Sequence, residues 1–163
     1  MMTITYPVYN GIYVNMTNRC PCACTFCLRH LSDHVEGSDS LWLDREPTVK
    51  EVCDSIDTWD LTKYSEIVFC GYGEPTERLN DLLEVAKYIR SKSDIKIRIN
   101  TNGLADLIWK ESTAPKLEGL VDTVSVSLNA TNKEEYLKVV RPKFGIESYD
   151  VMLKFTKECT KYV

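Results

Sequence analysis

No run of apolar residues in this sequence approaches the ~20 that a helix needs to cross a bilayer. Met1 to Asn10 has neither the basic residues nor the apolar core of a secretory leader. These absences predict a cytoplasmic protein without membrane association. An excess of positive charge is missing too: 20 Lys and Arg stand against 24 Asp and Glu, a formal charge of −4, which argues against holding nucleic acid by bulk electrostatics. No linker or low-complexity segment interrupts the chain. With 44% hydrophobic and 27% charged residues, one folded domain over residues 1–163 with its own core is expected. Nor is the cysteine count even. Seven cysteines, three of them closely spaced, suit metal ligation in a reducing compartment better than a disulfide framework.

What is present is a repeated alternation of strand and helix patterns. Ile12, Val14 and Met16 alternate as a first strand within Ile12 to Thr17, and a helix from Phe26 to Leu31 and a polar loop from Ser32 to Ser40 are predicted behind it. Thr48 and Glu51 make a capping box ahead of Val49, Val52, Ile56 and Trp59 at helical spacing. Ile67 to Cys70 reads as a strand buried on both faces. Leu79, Leu82, Leu83, Ala86 and Ile89 form the next helical stripe, Ile95, Ile97 and Ile99 a third strand, and Val124, Val126 and Leu128 a fourth. A poorly defined helical region spans Leu104 to Leu120. Lys133 to Val140 forms a helix that must stop near Arg141 because Pro142 disfavours helical geometry before it. A last helix runs from Tyr149 to Cys159.

Four strands with a helix in every connection predict an α/β fold, a partial parallel (β/α) barrel of at least four βα units. No fifth strand follows the last helix, so a barrel incomplete at its C-terminal side, with two unprotected sheet edges, is expected. A second copy of the chain in a homodimer, or a further segment, would cover the open edge.

In parallel βα architectures the functional groups gather at the carboxyl ends of the strands. There this chain places Cys20, Cys24 and Cys27 as C-x3-C-x2-C, then Gly71-Tyr72-Gly73-Glu74-Pro75, then Thr101-Asn102-Gly103, then Ser127-Leu128-Asn129. A closed structural zinc or iron-sulfur site needs four ligands, so three thiolates suggest a metal with an open coordination position. Each loop is a weak signal alone; their order along the chain is the strong one.

With these motifs the chain resembles the radical S-adenosylmethionine (radical SAM) enzymes, whose signature is C-x3-C-x2-C with an aromatic residue before the third cysteine, as Phe26 is here. The wording from Asn15 to Cys27, with Phe69 to Thr76, is most similar to the TatD-associated radical SAM proteins. The resemblance implies a four-iron four-sulfur, [4Fe-4S], cluster on Cys20, Cys24 and Cys27, whose fourth iron binds the methionyl amino and carboxylate groups of S-adenosylmethionine. It implies reductive cleavage to a 5'-deoxyadenosyl radical that abstracts hydrogen from an unidentified substrate. Reduced flavodoxin or ferredoxin is the implied electron donor, and a TatD-type hydrolase an associated partner. Glu74 is expected to accept hydrogen bonds from the cofactor ammonium, with Gly73 permitting close backbone approach. Asn102, Ser127 and Asn129 suit ribose hydroxyls or the methionyl carboxylate, Arg141 a forked ion pair with that carboxylate, and Phe26 the neighbourhood of adenine. The substrate is expected near Tyr72, Arg29 and His30.

Plainer readings stand beside these. His30 could complete a structural Cys3His zinc site, or a cluster could serve only electron transfer. Gly71 to Pro75 and Asn102-Gly103 could be simple turns, and Arg141 a solvated helix end. Cys22 reads as a bystander; Cys53, Cys70 and Cys159 as small core residues; His30 and His34 as surface groups; Trp42, Trp59 and Trp109 as packing.

Overall fold

In the computed structural model, which describes residues 2–24 and 40–163, the apolar alternations become five strands of one sheet. These are β1 (Thr5–Val8), β2 (Gly11–Asn15), β3 (Glu66–Cys70), β4 (Lys96–Thr101) and β5 (Thr123–Val126), side by side in chain order. From β2 to β5 they run parallel. Helix α1 (Val49–Asp57) precedes β3, α2 (Leu79–Lys92) precedes β4, the short α3 (Ala105–Trp109) precedes β5, and α4 (Lys133–Val140) and α5 (Ser148–Cys159) follow. The sheet is an open α/β arrangement of four βα units, a partial barrel.

One edge differs from expectation. β1 pairs antiparallel with β2, from Thr5 opposite Val14 to Val8 opposite Gly11, so the first parallel strand is not an edge. The hairpin turns at Tyr9, which has φ 50°. Pro7 breaks the alternation that would have announced this strand, and because it has no N–H to offer, it suits the outer position. β5 ends at Val126, and Leu128 stands exposed beyond it. The region from Leu104 to Leu120 resolves into α3 and a 3-10 turn, Ala114–Leu117. The predicted helix at Phe26 to Leu31 lies outside the described residues, as do Cys27, Arg29, His30, His34 and most of the polar loop.

Alternation decides which side of the sheet packs. Ile12, Val14, Ile67, Phe69, Ile97 and Ile99 are at most 1% exposed and meet Val52 and Ile56 of α1, Leu82, Val85, Ala86 and Ile89 of α2, and Phe155 of α5 in one core. Each such side chain contributes roughly 1.5–3 kcal/mol by leaving water. The predicted capping box forms: Glu51 N donates to Thr48 Oγ1 and Thr48 N to Glu51 Oε1, both at 3.1 Å. The opposite face carries a polar row. There Arg98 donates to Glu66 Oε1 at 2.9 Å and to the Tyr13 hydroxyl at 3.3 Å, and Asn100 stands opposite Ser125 in register.

Candidate functional site

The loop leaving β2 is held from below before it reaches its cysteines. Arg78, only 8% exposed, donates from Nη1 to the Met16 carbonyl at 2.9 Å and pairs with Asp81. Thr17 Oγ1 donates to Glu46, which also receives Arg19 through Nε at 2.8 Å and Nη2 at 3.2 Å. Asn18 exchanges two hydrogen bonds with the Leu43 backbone. These ion pairs line a surface cleft of about 480 Å3, which includes none of the predicted site residues.

Beyond this stem the loop is pinned on its other side. Cys22 forms an antiparallel bridge with Pro142, Ala23 N donates to the Val140 carbonyl at 3.1 Å, and Lys143 N donates to the Pro21 carbonyl at 2.7 Å. Arg141, in the left-handed region with φ 49°, ends α4 and donates from Nε to the Ala23 carbonyl at 3.0 Å. Its two Nη groups have no partner among the described residues.

Gly73 brings the β3 loop against this stem. A Cβ there would lie 2.1 Å from the Thr17 carbonyl oxygen, so only glycine allows the approach. Glu74 follows, 4% exposed. Its Oε2 accepts from Thr76 N at 3.0 Å, Thr76 Oγ1 at 2.6 Å and Thr101 Oγ1 at 2.8 Å, and its Oε1 accepts from Asn102 N at 2.7 Å. Burial pushes this carboxyl above its ordinary range while the four donors pull it back. Through these four bonds the carboxylate knits the β3 loop to the β4 loop, and Oε1 accepts from one donor only.

Asn102 is fixed equally firmly. Its Oδ1 accepts from Leu104 N at 3.0 Å, and its Nδ2 donates to Cys22 Sγ at 3.5 Å and Cys20 Sγ at 3.9 Å. After β5, Ser127 N donates to the Thr101 carbonyl at 3.0 Å, and Asn129 takes φ 64°.

These four loops line an open cavity of about 250 Å3. Cys20, Cys24, Gly73, Glu74, Asn102, Ser127 and Asn129 all line it, so seven of the ten predicted site residues meet at one place. Arg141 reaches its wall through Ala23; Phe26 and Cys27 lie outside the described residues. Cys70, expected in the core, lines the cavity instead and accepts a hydrogen bond from Asn100 Nδ2 at 3.8 Å. Its place two residues after Val68 puts it on the polar face, a signal that the apolar run concealed. Cys53 and Cys159 are buried in the core as expected. Thr76 and Asn100 were missed as site residues, while Thr101 was read as part of its strand-end loop and not as a partner of Glu74.

Cys22 lines the same cavity beside Cys20 and Cys24. Its thiol donates to Cys20 and Cys24, which lowers the pKa of Cys20 and brings that of Cys24 down to about 7, while its own pKa is driven up. Arg141 adds to the lowering at Cys24.

Among the described residues no helix is long and apolar enough to cross a membrane. No curated protein matches the chain. Residues 14–162, nearly the whole chain and every loop of the cavity, match the family model of the Radical SAM superfamily. The chain belongs to the radical SAM superfamily, enzymes that use a four-iron four-sulfur cluster and S-adenosylmethionine.

Proposed function

We propose that Cys20, Cys24 and Cys27 hold the cluster, that S-adenosylmethionine occupies the cavity at the strand ends, and that the chain abstracts hydrogen from a substrate bound over the same mouth. The observation that carries this reading is the convergence of four separate strand-end loops on one cavity containing the Cys20 and Cys24 sulfurs. A structural zinc site or an electron carrier gives no reason for the buried Glu74, the glycine-only approach at residue 73 or the polar groups of Ser127 and Asn129.

The residues fit both groups. Glycine at position 73 lets the β3 loop lie against the stem of the cysteine loop, and Asn100 Oδ1 is a buried acceptor without a partner on the cavity wall. When bound, the reduced cluster and S-adenosylmethionine supply the 5'-deoxyadenosyl radical chemistry of the superfamily. The chain's own part is positioning. Glu74 and Gly73 fix the loop facing the methionyl group, Ser127 and Asn129 offer donors and acceptors to ribose hydroxyls, and the free Nη groups of Arg141 suit the methionyl carboxylate. Phe26 is assigned to the adenine side by the family pattern. A flavodoxin or ferredoxin would supply electrons in the cytoplasm. The sequence from Asn15 to Cys27 supports a TatD-associated subgroup with a hydrolase partner, and a homodimer would cover the β5 edge.

The test is anaerobic reconstitution, iron and sulfide counts per chain, reduction with dithionite, and assay of 5'-deoxyadenosine after adding S-adenosylmethionine. About four irons per chain with nucleoside release supports the reading. One zinc without cleavage overturns it in favour of a Cys3His site, and a cluster without cleavage overturns the catalytic part.

A further inference from the structure

We propose that Asn102 sets the reduction potential of the cluster by donating a hydrogen bond to Cys20 Sγ, with Glu74 as the positioning residue that holds Asn102 in place; this rests on the reading of Cys20 as a cluster ligand.

The orientation of the Asn102 amide is fixed by its surroundings. Because Oδ1 accepts from Leu104 N at 3.0 Å, Nδ2 is the end turned to sulfur, 3.9 Å from Cys20 Sγ and 3.5 Å from Cys22 Sγ. The backbone behind it cannot relax. Asn102 N is held by Glu74 Oε1 at 2.7 Å, and the other carboxylate oxygen of Glu74 is tied to Thr76 and Thr101. Gly103, with φ 79°, completes the turn under crowding: a Cβ there would stand 2.8 Å from Met152 and 2.9 Å from Val126. The chain spends a buried carboxylate and a glycine turn on aiming one amide at the cysteine loop.

The electrical consequence follows from charge. Adding one electron to a thiolate-bound cluster increases the negative charge shared by its sulfur ligands, so an N–H donor to such a sulfur stabilises the reduced state more than the oxidised one. Groups that hydrogen-bond a ligand tune a metal site in this way. Asn102 therefore makes the cluster easier to reduce.

The experiment is a redox titration with dithionite, followed by electron paramagnetic resonance, on reconstituted protein without S-adenosylmethionine. Asn102→Leu keeps the branched shape and the number of heavy atoms and removes the donor. The expected result is full iron content with a midpoint shifted to more negative potential, and Asn102→Asp should shift it further in the same direction. An unchanged midpoint in Asn102→Leu overturns the proposal. If Asn102→Leu does not take up iron, Asn102→Ser carries the same expectation. Repeating the substitution in Cys22→Ala separates the two sulfurs: a shift that persists supports Cys20 as the acceptor, and one that vanishes overturns that assignment. Glu74→Gln removes a carboxylate charge, which alone would shift the midpoint to more positive potential, and places an N–H against Asn102 N or a Thr76 donor; a negative shift therefore supports its positioning role, while a positive shift or an unchanged midpoint overturns it. Failure of the wild-type protein to bind about four irons instead overturns the earlier reading of the cysteines.

Discussion

Gly73 lies against Thr17 so closely that a methyl group on its Cα would stand 2.1 Å from the Thr17 carbonyl oxygen and 2.8 Å from that of Arg19. Both neighbours are backbone atoms, and both belong to the stem of the cysteine loop, which Glu74 N also grips by donating to the Arg19 carbonyl at 2.7 Å. The two loops share one surface, so Gly73→Ala must push them apart. Overpacking of this kind costs ~1–3 kcal/mol. Urea unfolding of the metal-free variant should show that loss, and iron uptake should fall with it. Wild-type uptake would mean that the loops separate freely.

Arg78 supports the same stem from inside. Its Nη1 satisfies the buried Met16 carbonyl, and its 8% exposure leaves little water to replace it. Arg78→Met keeps the aliphatic volume and abandons that acceptor, a loss of about 2 kcal/mol. The pairing with Asp81 adds little to this figure because Asp81 is 45% exposed. A chemical denaturation curve with an unchanged slope and a lower midpoint is the expected record. Asp81→Asn should move the midpoint much less.

The parallel strands were legible because their buried faces demand unbroken apolar alternation, as in Ile67 to Phe69 and at Ile97 and Ile99. The cysteine, glycine and asparagine loops were legible because each follows such a strand. What could not be read was contact between residues distant in sequence. Nothing local marks Thr101 as a partner of Glu74, 27 positions away, or Arg141 as a partner of Ala23, 118 positions away. The carboxylate of Glu74 was expected to face a ligand because a carboxylate accepts charge-assisted hydrogen bonds from an ammonium; its burial is made tolerable by four protein donors that no local pattern announces. β1 was missed because Pro7 and a short hairpin carry no period to detect.

Asp122 joins the start of β5 to its neighbours and gives the fold a dependence on pH. Burial opposes its ionisation, but the Ile97 N–H at 2.8 Å and the Arg90 guanidinium outweigh burial and hold its pKa below the ordinary value. With the folded pKa below the unfolded one, the folded protein binds fewer protons in that window, so stability rises with pH there. The contribution is complete above the unfolded value of about 3.9 and is lost as pH falls through the folded value. Partial exposure limits it to about 1 kcal/mol. Asp122→Asn should lower the thermal midpoint at pH 7 and narrow the gap from wild type as the pH is lowered below about 4. A gap that stays constant with pH would assign the loss to packing.

Arg141 stands where the cysteine loop and the cavity meet, and its two kinds of donor separate two roles. Nε holds the Ala23 carbonyl at 3.0 Å on an exposed surface, while the strap around it retains the Ala23–Val140 and Lys143–Pro21 backbone bonds without any help from the side chain. Arg141→Ala should therefore leave folding stability within ~0.5 kcal/mol and leave the iron content per chain at the wild-type level. If the Nη groups meet the methionyl carboxylate, a charge-assisted bond worth ~1.5–3 kcal/mol disappears, and S-adenosylmethionine should bind the loaded protein roughly tenfold to a hundredfold more weakly. Arg141→Lys keeps the charge but loses the fork and should recover only part of that affinity. Equilibrium binding to both variants, with iron counted on the same samples, checks the expectation. Loss of iron with unchanged affinity in the remaining loaded fraction would place Arg141 with the anchors of the cysteine loop instead.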